Sequence, residues 1–111
     1  MKRGDIVIAA FQGDYGKPRP ALVMQSDLFI PHPSLSVLPI TSDCRDTPAL
    51  RINIDAHPAT GLREPSQIMV DKCQTITCER VSRVVGVVGR DTMTAVNSAF
   101  AVFFGLAERQ T

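Results

Sequence analysis

The sequence carries almost no excess charge: 12 Lys and Arg against 11 Asp and Glu leave +1 at pH 7. With no basic field over the whole molecule, a nucleic-acid site must come from local clustering of Lys and Arg. Cysteine is scarce and odd in number. Cys44, Cys73 and Cys78 make no disulfide framework, and neither their spacing nor a neighbouring His suits a zinc site, so no metal is expected. They read as reduced thiols. No stretch reaches the ~20 apolar residues of a membrane-spanning helix. Met1-Lys2-Arg3-Gly4-Asp5 runs straight into an alternating segment without the apolar core of a signal peptide. The expected location is the cytoplasm, with no membrane partner. Repeats, low-complexity tracts and linkers are also missing, which leaves a single domain over residues 1–111.

What is there is apolar. Hydrophobic residues make up 44% of the 111 positions and charged residues 21%, which excludes a disordered chain. A chain of this size buries about two-thirds of its unfolded surface. The surplus apolar area points to burial against a second copy, and the homodimer is the commonest soluble oligomer.

Short β segments follow one another. Ile6–Phe11 reads as a strand, residues 12–18 as a polar turn-rich loop, and Ala21–Gln25 as a second strand led in by Pro18 and Pro20. Leu35–Thr41 alternates, with Pro39 arguing for an edge or a bulge. Leu50–Ile54 alternates cleanly. Gln67–Asp71 and Cys73–Thr77 are nearly continuous β character, and Val81–Val88 reads as a buried strand after a short helical turn at Glu79. The period then changes: Asp91 is a plausible N-cap, and Met93, Val96, Phe100, Phe103 and Ala107 recur at helical spacing. This is a mainly β fold with a C-terminal helix, a small bent antiparallel sheet closed into a barrel.

Three segments stand out in order: Arg3-Gly4-Asp5-Ile6-Val7; Lys17-Pro18-Arg19-Pro20-Ala21-Leu22-Val23-Met24-Gln25-Ser26-Asp27; and Leu38-Pro39-Ile40-Thr41-Ser42. Gly61-Leu62 and Ser66-Gln67-Ile68-Met69-Val70-Asp71-Lys72 lie behind them. Together they resemble the MazF/PemK toxins over nearly the whole chain, from Arg3 to the Phe-Gly-Leu ending at Leu106. The resemblance implies a small SH3-like barrel of the kind shared by CcdB and MazF, and a homodimer with single-stranded RNA across its interface. It also implies metal-independent endoribonuclease cleavage with no cofactor, and a cognate antitoxin covering the groove.

Cutting RNA without a metal uses the substrate's 2′-hydroxyl as nucleophile. The protein must take that proton, neutralise the phosphoryl oxygens and help the 5′-oxygen leave. A guanidinium suits the second task through its bidentate fork. Arg19, stiffened between two prolines, matches the family's catalytic Arg; read alone it is equally a solvated charge at a strand start. Thr41 matches a Ser or Thr of the family, although a strand-ending hydroxyl is commonly satisfied by local backbone. Asp71 matches an Asp of the PemK branch, as a base or as half of a structural ion pair. That branch places Arg two residues before this Asp and the family usually has Gln after it, where this sequence has Met69 and Lys72.

For RNA contacts the resemblance implies Lys17, Arg45, Arg63 and Lys72 on phosphates, with Gln12, Gln25, Ser42 and Gln67 toward base edges. Tyr15 either stacks on an unpaired base or caps its loop. His32 and His57 sit in Pro-rich loops without ligand-spaced neighbours and read as surface residues. Two rivals remain. One is a gyrase-poisoning toxin of the CcdB kind, which needs a Trp-bearing C-terminal tip, whereas this chain has no Trp. The other is a non-catalytic binding barrel, left open by Met69 and Lys72.

Overall fold

The computed structural model describes residues 1–13 and 17–108. Seven strands are formed among the described residues: β1 (Asp5–Ala10), β2 (Pro18–Val23), β3 (Ser34–Thr41), β4 (Arg51–Ile54), β5 (Ser66–Met69), β6 (Gln74–Thr77) and β7 (Val81–Val87). A helix, α1 (Arg90–Phe103), follows, and short 3₁₀ turns span Asp27–Phe29, Val70–Lys72 and Cys78–Arg80. Every pairing is antiparallel, in the order β4-β5-β3-β2-β1-β7, with β6 also paired to β3.

The continuous apolar runs of β1 and β2 have a direct cause: both faces of the sheet are buried, as near-continuous hydrophobic strands require. Ile6, Leu22 and Leu38 point into one core with Val96 of the helix. Their neighbours Val7, Ala21, Val23 and Val37 point into a second core with Phe11, Leu35 and Ile76. The conspicuous Arg3-Gly4-Asp5 stretch is scaffold. Arg3 donates from its backbone N–H to Asp27 Oδ1 (2.7 Å), from Nε to the Met24 carbonyl (2.9 Å) and from Nη2 to Asn97 Oδ1. One side chain thereby joins the end of β2 to the helix.

Pro39 is neither at an edge nor in a bulge. It pairs with Ala21 inside the sheet. By strand alternation its missing N–H faces the side where β3 changes partner, from Gln74 of β6 opposite Val37 to Ile68 of β5 opposite Ile40. No ladder bond is lost there, so the proline is tolerated.

Two further expectations are corrected. β7 pairs only with β1 and forms an edge, so Val84 (47% exposed) and Val87 (45%) lie open rather than buried. The helix N-cap is Gly89, without a side-chain cap, and Asp91 falls inside the first turn, where its carboxylate suits the positive end of the helix dipole. Ala107 lies past the helix. Gly105, at φ 71°, closes it with bonds from Gly105 N to Val102 O (3.1 Å) and from Leu106 N to Ala101 O (2.7 Å).

The segment after β4 crosses to the free edge of β7, where Val87 N donates to Ala59 O at 2.9 Å. Two glycines make the approach possible. A Cβ on Gly86 would sit 2.2 Å from the Thr60 carbonyl carbon, and one on Gly61 would sit 2.3 Å from the Val85 oxygen. This contact curls the sheet toward closure. No helix among the described residues is long and apolar enough to cross a membrane.

Candidate active site

Arg19 lies within β2, which begins at Pro18 rather than Ala21, and pairs with Ala9. The β2–β3 register runs Val23↔Val37, Leu22↔Leu38, Ala21↔Pro39. Continued two residues beyond the last pair, it sets Arg19 opposite Thr41, the final residue of β3. Residues 22 apart in sequence therefore meet at one end of a hairpin-like ladder.

Two depressions flank this pair. The first, about 210 Å³, is lined by Arg19, Thr41, Ser42, Arg63, Glu64 and Ser66 over an apolar floor that includes Ile40 and Leu62. The second, about 170 Å³, is lined by Arg19, Thr41, Met69, Lys72 and Gln74 over Phe11, Pro39 and Ile40. Arg19, Ile40 and Thr41 belong to both and form the ridge between them.

The Thr41 oxygen is oriented from behind: Oγ1 accepts the Asp43 N–H at 3.0 Å, which leaves its own hydroxyl proton to donate outward. Arg19 is exposed, so its guanidinium is accessible to a substrate.

The other expected site residues divide into two groups. Ser42, Arg63 and Lys72 are exposed and line the depressions. Lys17 and Gln12 are exposed beside the first loop. Tyr15 lies outside the described residues.

Gln67 is not on the groove surface. It is 6% exposed and its amide is fully engaged: Nε2 donates to Arg45 O and Asn53 Oδ1 (2.9 Å each), while Oε1 accepts from Arg45 N (2.9 Å) and Arg51 Nη1 (3.2 Å). Gln25 is similarly occupied, donating to Phe29 O and Ser34 O and accepting from Ser36 N. Both amides hold loops in place. Arg45 forms an exposed ion pair with Asp43 (3.1 Å), a contact of small energy that a phosphate can displace. Asp71 is half-buried in the turn Val70–Lys72, which packs against α1, and lines neither depression.

His32 and His57 act as local caps, their Nδ1 atoms accepting from Ser34 N and Ala59 N at 3.0 Å. Among the described residues no cluster of His, Cys, Asp or Glu is placed to hold a metal. Cys44, Cys73 and Cys78 are free thiols, and burial pushes the Cys73 thiol up. Glu64 and Gln74 escaped the reading of the sequence. No spacing rule marks them, because each reaches the site from a separate loop or strand.

A small antiparallel barrel with a terminal helix and an Arg–Thr ridge between two polar depressions defines a class. Residues 2–104 match the family described as the PemK-like, MazF-like toxin of type II toxin–antitoxin systems, and the chain belongs to that family. It is 43% identical over 108 residues to a probable endoribonuclease MazF of Mycolicibacterium smegmatis, covering 96% of this chain and 99% of that one. The structure is similar to the Mycobacterium tuberculosis toxin MazF-mt6, with a TM-score of 0.81 at 30% identity, covering 93% of this chain and 98% of the other. A MazE–MazF crystal structure from Deinococcus radiodurans shares the fold, with a TM-score of 0.79 at 21% identity over 96% and 97% of the two chains.

Proposed function

We propose that this endoribonuclease of the MazF type cuts single-stranded RNA without a metal ion, holding the scissile phosphate on the ridge made by Arg19 and Thr41. The observation that carries the reading is that these two side chains, and no other polar ones among the described residues, line both depressions. A strand laid across the ridge has one nucleotide on each side and its phosphate between. The substrate's 2′-hydroxyl attacks the adjacent phosphorus, forming a 2′,3′-cyclic phosphate and releasing a 5′-hydroxyl. Arg19 supplies a two-point charged clamp for the non-bridging oxygens, and the Thr41 hydroxyl donates to charge that develops in the transition state. Asp71, off both depressions, is given no proton-transfer role.

Lys17, Arg63 and Arg45 serve phosphates further along the strand, while Gln12 and Ser42 face bases. The protein works as one domain in the cytoplasm as a homodimer, with an antitoxin as its controlling partner. The open apolar residues Val84, Val87, Val102, Phe103, Phe104 and Leu106 support burial against other chains. In EDTA, purified protein cuts mixed single-stranded RNA into discrete fragments ending in cyclic phosphates. A substrate with one 2′-deoxy residue before the scissile bond resists cleavage there. Normal cutting of the deoxy substrate overturns the mechanism.

A further inference from the structure

Metal-free cleavage still needs a group to accept the 2′-hydroxyl proton and another to protonate the departing 5′-oxygen. These must stand on opposite sides of the phosphorus, because nucleophile and leaving group are in line. The ridge divides the site in just this way. In the first depression Arg19 and Arg63 are cations that do not give up their protons, and Thr41, Ser42 and Ser66 are neutral hydroxyls. Among the described residues Glu64 is the only carboxylate there. In the second, Met69 carries no charge and Gln74 none, so among the described residues Lys72 is the only proton donor besides Arg19 that carries charge.

The Glu64 backbone is also held in place. Its carbonyl accepts the hydroxyl of Ser66, itself 6% exposed, at 2.9 Å, and Pro65 restricts its backbone to extended conformations.

Resting on the reading above, we propose that Glu64 is the general base and Lys72 the general acid of the cleavage. The 2′-oxygen passes its proton to the Glu64 carboxylate as the bond from that oxygen to phosphorus forms. The bond from phosphorus to the 5′-oxygen breaks as Lys72 protonates that oxygen. Proton exchange with water then returns Glu64 to carboxylate and Lys72 to ammonium, so the cycle closes without another reactant.

The test pairs two variants with two substrates: an ordinary RNA and one with sulfur replacing the bridging 5′-oxygen at the cut site, a leaving group that needs no proton. Both residues are exposed, so Glu64→Gln and Lys72→Ala leave the core untouched. Each should lose about 10²–10⁴-fold in kcat/KM on ordinary RNA. Lys72→Ala should recover to near the wild-type rate on the sulfur substrate, while Glu64→Gln stays slow on it and loses the acidic limb of the pH–rate profile. If wild-type protein cuts and Arg19→Ala does not, yet Glu64→Gln keeps its acidic limb or Lys72→Ala is equally slow on both substrates, the assignment of base and acid is wrong. If wild-type protein leaves RNA intact, it is the proposed function that fails.

Discussion

The Gln67 side chain grips the backbone of Arg45 in both directions, accepting its N–H and donating to its carbonyl, each at 2.9 Å. Gln67 is also the cross-strand partner of Thr41. The loop that leaves the Arg19–Thr41 ridge is thus pinned to β5 by one buried amide. Replacing Gln67 with Ala removes all four bonds of its side chain, but the partners on the exposed Arg45 and Asn53 can turn to water, so the net cost is about 1–3 kcal/mol. Denaturant unfolding should show a loss in that range, and cleavage should fall although Gln67 touches no substrate. Unchanged stability would mean that the loop holds itself.

Arg19→Ala and Thr41→Ala should each lower kcat by about 10²–10³-fold, the usual effect of removing one pre-organised donor aimed at developing charge. Arg19→Lys should recover only part, since an ammonium cannot reproduce the planar fork. Circular dichroism and sedimentation of the variants should match wild type. Near-normal turnover by Arg19→Ala would remove the ridge from the mechanism.

RNA affinity should depend on salt despite the +1 net charge. With about 3–4 phosphate contacts on a single strand, the log–log slope should be roughly −2 to −3. Fluorescence anisotropy against a short oligonucleotide measures it, and a slope near zero would move the strand off the Arg- and Lys-lined depressions.

Gly86→Ala should destabilise the fold by about 1–3 kcal/mol, because its Cβ would meet backbone of residues 59 and 60 rather than a yielding side chain. A thermal melt equal to wild type would show that the loop can retreat from β7 at no cost.

Sedimentation at micromolar concentration should give the mass of a dimer. The exposed Val84 and Val87 on β7 and Phe103 and Phe104 at the helix end form more open apolar surface than a small monomer keeps in water. A monomer mass would mean that this surface stays open in the free protein.

Much of this protein could be read from the chain. Alternation and turn residues located the seven strands to within a few positions, and helical spacing located α1, because local geometry repeats with the period of the backbone. The ordered motifs brought Arg19 and Thr41 forward as candidates. Where the reading erred, the deciding contacts were distant in sequence. Pro39 looked like an edge marker because its change of partner, from β6 to β5, is invisible along β3. Val81–Val88 looked buried because hydrophobicity does not say which strand is left at the edge. The bonding of Gln67 and Gln25 was hidden, because composition cannot tell an amide facing solvent from one whose hydrogen bonds are taken by neighbouring strands and loops. Glu64 carried no signal at all, and Lys72 stood out only as a phosphate contact. The pairing of β5 with β3 brings the segment of Lys72 beside Thr41, and the segment of Glu64 enters from the loop whose Gly61 lies against Val85. Local sequence determines the elements, since their hydrogen bonds close within a few residues or along one strand. The site depends on register and closure, which are settled by contacts between residues far apart in the chain.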